Sequence, residues 1–132
     1  MDSAVQKANL LTVQRLCEEW PTFSLDDFKE VMTPDCVYLN IPIPEARCIG
    51  PEQTYALLHP FTQRARIIEL RMIHIVGDDK VVMTERLERS QMLSGDGQIV
   101  ELPVTGIFEL ENGKISHWRD YFDLRHLGPL MS

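Results

Sequence analysis

Apolar residues recur at helical spacing in the first part of the chain. Leu10, Val13 and Cys17 follow one another at steps of three and four, which is the pattern of a buried helix face. Ser3 is the candidate N-cap of this segment, and Pro21 is expected to stop it. The pattern therefore predicts an amino-terminal helix.

Cap signals predict two further helices. Ser24 can cap the second, because Asp27 lies three residues on in the capping-box position, and Pro34 is expected to end it. The third is expected to open at Gly50 and Pro51, since proline is favoured at the first helical position. Helices are thus expected to dominate the chain before residue 66.

The pattern then changes to that of strands. We predict strands over residues 36–41, 66–76, 81–93, 98–110 and 115–124. Turn signals rich in Gly, Asp and Asn separate the last four, and Asn112-Gly113 favours a type I′ hairpin. Helices first and a long antiparallel meander second indicate an α+β fold, with helices packed on one face of the sheet.

The composition fits one globular domain. The chain has 132 residues, of which 44% are hydrophobic and 25% charged, and no linker, repeat or low-complexity segment divides it. We therefore expect a single domain over residues 1–132. Its net charge of −7, without a clustered Lys/Arg patch, disfavours binding to nucleic acid or to an anionic membrane.

Cysteine usage and the chain start bear on the compartment. The three cysteines fit no CxxC spacing, and no histidine pair has metal-ligand spacing, so we expect neither a disulfide framework nor a metal site. Residues 1–12 lack the features of a signal peptide, and no apolar run approaches the ~20 residues of a membrane span. The expectation is a cytoplasmic protein with reduced thiols.

Charged residues fall on strand faces that are otherwise apolar. Alternate residues of a strand share a face, so Asp120 lies between Trp118 and Phe122. A desolvated carboxylate in that position is a better base, which makes Asp120 a candidate catalytic residue. A buried Asp paired with an Arg for structure alone would give the same pattern, and the sequence leaves both interpretations open.

Two other strands repeat this anomaly. Arg86 and Glu88 share a face and can point into one cavity; if Asp120 joins them, Arg86 would bridge two carboxylates. The alternative is the solvated face of an edge strand. Tyr38 and Asn40 also share a face and could hold a small polar ligand such as water, although polar residues at a strand end are the simpler interpretation.

Several sequence runs resemble the limonene-1,2-epoxide hydrolase family over roughly residues 24–126. They are YLNIPIP at 38–44, TERLE at 84–88, GIFELENGKI at 106–115 and WRDYFDLR at 118–125. The resemblance implies the cone-shaped fold of nuclear-transport-factor-2-like and SnoaL-like proteins. In that fold, three to four helices pack over the concave face of a curved mixed β-sheet and enclose an apolar pocket.

The resemblance also implies a role for each candidate residue. Asp120 falls on the general base that takes a proton from the attacking water, and Tyr38 and Asn40 fall on the groups that hold this water. Arg86 falls on the arginine that links the two acids. Glu88 falls where the family has an aspartate that protonates the epoxide oxygen, and glutamate adds roughly 1.5 Å of reach.

The activity implied is one-step addition of water to a hydrophobic, cyclic or terpenoid-like epoxide, giving a vicinal diol without a cofactor. Because Glu88 departs from the family pattern, an isomerase or an epoxide-opening cyclase of a terpenoid or polyketide intermediate stays open. A non-catalytic binding or dimerisation module is the third hypothesis. All three fit the fold, since fold alone does not fix function.

Substrate contacts and assembly complete the expectations. We expect substrate contacts from residues on the apolar inner face: Met32, Val82, Trp118 and Phe122. By resemblance to the family, the chain is expected to form a homodimer through its sheet. Ile107 and Tyr121 are apolar residues on the outer face that such a pairing would cover.

Overall fold

A computed structural model describes residues 3–128, and the predicted domain over residues 1–132 extends past this range at both ends. The described residues form three α-helices: α1 (Ala4–Glu19), α2 (Leu25–Val31) and α3 (Gly50–Arg64). They also form six strands: β1 (Met32–Asn40), β2 (Cys48–Ile49), β3 (Ala65–Gly77), β4 (Val81–Met92), β5 (Ile99–Glu111) and β6 (Lys114–Tyr121). Short 3₁₀ turns lie at Trp20–Thr22, Pro44–Ala46 and Leu124–Leu127.

The predicted helix starts are confirmed by their caps. The Ser3 hydroxyl accepts a hydrogen bond from the Gln6 N–H at 3.0 Å. Ser24 and Asp27 form a complete capping box, in which each side chain accepts from the other residue's backbone N–H. Pro51 lies in the first turn of α3, as expected. Side-chain caps therefore set the starts of α1 and α2, and a proline in the first turn favours the start of α3.

The predicted end of the second helix is wrong. Pro34 does not end α2; the helix ends at Val31, and β1 begins at Met32. Pro34 lies within β1, where the pairing with β6 shifts register between Met32 and Val37. Proline is tolerated there because the hydrogen-bond ladder is already interrupted at such an irregularity.

The six strands form one curved, mixed sheet in the order β2-β1-β6-β5-β4-β3. Strands β3 to β6 form the predicted antiparallel meander, whereas β1 pairs with β6 in parallel. Helices α1 and α3 pack against the sheet, which confirms the predicted α+β cone fold. None of the helices in the described range is long and apolar enough to cross a bilayer.

The faces of β6 follow the predicted alternation. Ser116, Trp118 and Asp120 are buried, whereas the intervening His117 and Arg119 are less so. The inner side of the sheet is covered by a core from the helices and strands, whose largest fully buried members are Phe28, Phe108, Leu16, Met32 and Ile115. This core supports one part of the inner face, and a cavity occupies another.

Candidate active site

A cavity of about 310 Å³ opens between α3 and the inner face of the sheet. This volume lies at the lower end of the roughly 300–1,000 Å³ range of small-molecule sites. Most of its wall is apolar, with contributions from α3 and β5: Leu57, Leu58, Phe61, Val100, Leu102 and Val104. Polar groups from three strands interrupt this wall: Tyr38, Asn40, Glu88 and Asp120.

Arg86 joins the two carboxylates of this group. Its Nη2 donates to Asp120 Oδ2 at 3.0 Å and to Glu88 Oε2 at 3.3 Å. Its Nη1 donates to the Thr84 hydroxyl at 2.8 Å. The exposed fraction of the side chain is 4% for Arg86, 8% for Asp120 and 23% for Glu88. Buried charges are costly unless they are paired and hydrogen-bonded. Removal of one member of this group would therefore leave another member buried without its partner.

Both oxygens of Asp120 are held. Oδ2 accepts from Arg86, and Oδ1 accepts from the Trp118 indole N–H at 2.9 Å. The Trp118 ring stacks on Tyr38, with centroids 3.8 Å apart and an interplanar angle of 17°. A carboxylate has about four lone-pair sites, so two remain for a further donor such as water. The fixed orientation suits a group that must accept a proton from one direction.

Tyr38 and Asn40 reach the same place from β1. The parallel pairing sets Asn40 opposite Asp120 and Tyr38 opposite Trp118. The Tyr38 hydroxyl donates to Asn40 Oδ1 at 3.3 Å. Burial, and then the negative charge of Asp120, raise the pKa of Tyr38 well above its ordinary value, so the phenol keeps its proton. A phenol and an amide beside a carboxylate can together hold one water.

The surroundings of Glu88 shift its pKa. Burial raises the pKa of Glu88 above its ordinary value, and the charge of Asp120 acts in the same direction, while Arg86 opposes them. The shift makes the Glu88 carboxyl a weaker acid than an exposed glutamate, so it holds its proton to a higher pH. Two acids on one guanidinium with different environments can serve as base and acid in the same step.

Gly106 is a site residue that the sequence analysis did not identify. On β5 it pairs with Thr84 of β4 on one side and with Asp120 of β6 on the other. A Cβ added at Gly106 would lie 2.5 Å from Arg86 Nη1 and 2.8 Å from the Thr84 hydroxyl oxygen. The missing side chain lets the guanidinium cross β5 to reach Asp120. A glycine inside a strand, where it weakens packing, was the available signal.

The predicted catalytic residues therefore come together: Tyr38, Asn40, Arg86, Glu88 and Asp120. Of the predicted substrate contacts, Trp118 and Phe122 line the cavity. Met32 and Val82 do not; they lie in the core with exposures of 1% and 0%. Val82 is on the inner face as expected, and it pairs with Phe108. The Arg86 ion pairs lie between this position and the cavity.

The described residues contain free cysteines but no cluster of metal ligands. The three cysteines are unpaired and buried: Cys17, Cys36 and Cys48. Burial raises the pKa of Cys17 and of Cys36 to about 12, so both stay as thiols. Within residues 3–128, no group of three or more His, Cys, Asp or Glu side chains could hold a metal ion.

Comparison with known sequences identifies relatives of the chain. A family model described as the limonene-1,2-epoxide hydrolase catalytic domain matches residues 7–129. Epoxide hydrolase EphG of Mycobacterium tuberculosis is 34% identical over 90 residues, which make up 68% of this chain and 56% of that protein. The match thus spans little more than half the length of that relative.

Solved structures agree. An M. tuberculosis LEH-like epoxide hydrolase is similar with a TM-score of 0.78 and 26% identity, over 95% of this chain and 85% of that one. A SnoaL-like protein from Jannaschia has a TM-score of 0.83 and 22% identity, over 96% of this chain and 93% of that one. The second likeness bears on the fold alone.

Proposed function

The chain belongs to the limonene-1,2-epoxide hydrolase family, and on that premise we propose that it adds water to a hydrophobic epoxide in one acid/base step. The product is a vicinal diol, and water is the second substrate. The observation that carries the proposal is a single buried guanidinium holding Asp120 and Glu88 at the wall of a mainly apolar cavity. Acid and base suffice for this reaction, so no cofactor is invoked.

Asp120 acts as the base in this proposal. A water held by Tyr38, Asn40 and Asp120 loses its proton to the carboxylate as its oxygen bonds to one epoxide carbon. Trp118 and Arg86 fix the carboxylate, so its free lone pairs keep one direction. A base that is held in position accelerates the reaction relative to free solution, because the base and its surroundings need not reorganise when the proton is transferred.

Glu88 acts as the acid. As the C–O bond of the ring breaks, the carboxyl proton passes to the epoxide oxygen, which becomes the second hydroxyl of the diol. The raised pKa of Glu88 supports this role. The longer side chain is still held by the guanidinium that binds Asp120, at 3.3 Å from Nη2 to Oε2. The pocket thus accommodates glutamate within the same ion-paired group.

The reaction type is tested with a panel of cyclic and terpenoid epoxides in water enriched in heavy oxygen. We expect a diol that carries one labelled oxygen, identified by mass spectrometry. An unlabelled rearranged product would instead favour the isomerase or cyclase hypothesis, which the Glu88 substitution keeps open. Binding without conversion of any panel member would favour the non-catalytic module.

The assembly and the location remain proposals. We propose a homodimer formed through the outer sheet face, where Ile73, Met83 and Tyr121 are 45%, 45% and 39% exposed. Analytical ultracentrifugation of the wild type and of Met83→Glu tests this, and a wild type that sediments as a monomer would contradict it. A cytoplasmic location and a role in secondary metabolism are the corresponding expectations for the cell.

A further inference from the structure

Ser90 is a hydroxyl in the cavity wall that the proposed chemistry does not use. Along β4, alternate residues Arg86, Glu88 and Ser90 share the inner face. Ser90 therefore lies one inward-facing position beyond the acid, roughly 7 Å further along the strand. The residue is 7% exposed and lines the cavity.

The surroundings of Ser90 are apolar. Its partners across the two neighbouring strands are Ile67 on β3 and Val100 on β5, and both also line the cavity. Leu102, which pairs with Glu88, continues this wall. In the described part of the chain, no hydrogen bond involves the Ser90 hydroxyl. Thr84, the other hydroxyl on this face of β4, is by contrast bound by Arg86 at 2.8 Å.

A hydroxyl that lines a cavity and has no partner in the protein keeps its hydrogen-bonding capacity for water or a ligand in that cavity. Ile67 and Val100 flank the residue across the neighbouring strands, so a ligand can reach the hydroxyl from the cavity. A serine hydroxyl can donate to a carbonyl or accept from a hydroxyl. An oxygen atom of a ligand in the cavity would supply a partner for this hydroxyl.

We propose that Ser90 binds an oxygen substituent of the substrate, so that the preferred substrates are hydrophobic epoxides carrying a hydroxyl or carbonyl group away from the epoxide ring. This assignment rests on the proposed function, since it takes the cavity to be the substrate site.

The register places this subsite relative to the chemistry. Asp120 pairs with Gly106, which pairs with Thr84, so the base lies at the level of Thr84 in the sheet. Glu88 lies further along β4, and Ser90 lies beyond it on the side away from Asp120. The substituent should therefore extend from the substrate on the side of the epoxide oxygen, past the acid. An oxygen on the carbon attacked by water would not reach Ser90.

The test uses a matched pair of substrates: a cyclohexene oxide with a hydroxymethyl group on the far ring carbon, cis to the epoxide oxygen, and its methyl counterpart. The readout is the ratio of kcat/KM for the two. We expect the ratio to fall about tenfold in Ser90→Ala, the effect of one hydrogen bond. Ser90→Thr, which keeps the hydroxyl, should retain most of the preference.

Val100→Ala is the matched control. It enlarges the cavity next to Ser90 without removing a polar group, so it should change both substrates alike and leave the ratio within about twofold of wild type. An equal ratio in wild type and Ser90→Ala would overturn the proposal. An equal loss of kcat on both substrates in Ser90→Ala would also overturn the proposal, because it would show that Ser90 affects catalysis through Glu88 and does not bind the substituent.

Failure of the proposed function is distinguishable from failure of the subsite. If neither epoxide is converted by wild type, the hydrolase assignment fails, and the same two compounds are titrated as ligands by calorimetry. A ratio of Kd values that falls about tenfold in Ser90→Ala would still support the subsite. An unchanged ratio of Kd values would overturn it independently of any chemistry.

Discussion

Two arginine-centred clusters lie on opposite faces of the same sheet and differ mainly in burial. On the inner face, Arg86 holds Asp120 and Glu88, and the side chains are 4%, 8% and 23% exposed. On the outer face, Arg119 Nη1 donates to Glu109 Oε2 at 2.6 Å, and the side chains are 28% and 42% exposed. Both clusters join a guanidinium to a carboxylate, and they differ in burial and in the second acid that Arg86 holds.

The two surroundings shift the pKa of the carboxyl group in opposite directions. The hydrogen bond from Arg119 lowers the pKa of Glu109, because water still solvates the charged form. Burial raises the pKa of Glu88 although Arg86 opposes the shift. The exposed pair is therefore a surface ion pair of small energy, whereas burial makes Glu88 a weaker acid, as its proposed role requires.

The largest expected effect comes from breaking the inner cluster at its base. Asp120→Asn fills the same space but cannot accept the proton from water. We expect kcat to fall by about 10²–10⁴-fold, the usual contribution of a general base. Circular dichroism should show an unchanged fold. Substantial residual activity would mean that Asp120 is not the base.

Gly106→Ala perturbs the inner cluster without changing any charged group. The new Cβ would meet Arg86 Nη1 at 2.5 Å, so the guanidinium must shift. We expect about 1–3 kcal/mol lower stability from overpacking. We also expect kcat to fall by about 10²-fold, since a displacement of roughly 1 Å is enough.

Thr105→Ala is the control for this change, because Thr105 is the exposed neighbour on the same strand. It should keep kcat close to wild type. If Gly106→Ala were as active as its control, the guanidinium position would not matter for catalysis.

The raised pKa of Glu88 predicts a smaller effect, which is a pH-dependent difference in stability between the wild type and Glu88→Gln. Its pKa is raised above 4.5 in the folded chain, so the folded state binds more protons than the unfolded state between pH 4.5 and that raised value. The contribution of Glu88 to stability is then present at low pH and is lost as the pH rises through this window. Urea titrations of wild type and Glu88→Gln from pH 4 upward isolate it, since the variant lacks the titration. A constant difference between the two across the window would argue against the raised pKa.

The smallest effect is expected on the outer face. Glu109→Gln removes the partner of Arg119 in an exposed pair, and such pairs contribute about 0–1 kcal/mol. We expect less than ~1 kcal/mol lower stability and unchanged kcat. A loss of activity comparable to that of Asp120→Asn would show that the two faces are coupled, so that burial alone does not separate the two clusters.

Strand alternation and cap chemistry made much of this architecture predictable. Period-two spacing put Asp120, Arg86 and Glu88 on inner faces, and the structure brings all three together. Their proposed roles came from the family resemblance, since the same pattern also fits a structural ion pair. Local signals thus indicated the face of each side chain well.

The features that the sequence did not predict depend on contacts between distant segments of the chain. Alternation gives the face of a strand but not the level along it, so Met32 and Val82 were expected at the cavity and lie in the core. The parallel pairing of β1 with β6, which sets Asn40 opposite Asp120, has no local signature. Likewise, Gly106 matters only because Arg86 crosses it.

The central claim is direct attack by water activated at Asp120, and a single-turnover experiment in labelled water tests it most directly. Enzyme in excess converts one equivalent of an epoxide that turns over, in water enriched in heavy oxygen, and the first diol formed is analysed by mass spectrometry. The account predicts that this first diol already carries the label and that the Asp120 carboxylate does not. A first diol that is unlabelled, with the label appearing in Asp120, would show a covalent carboxylate intermediate and contradict the one-step mechanism.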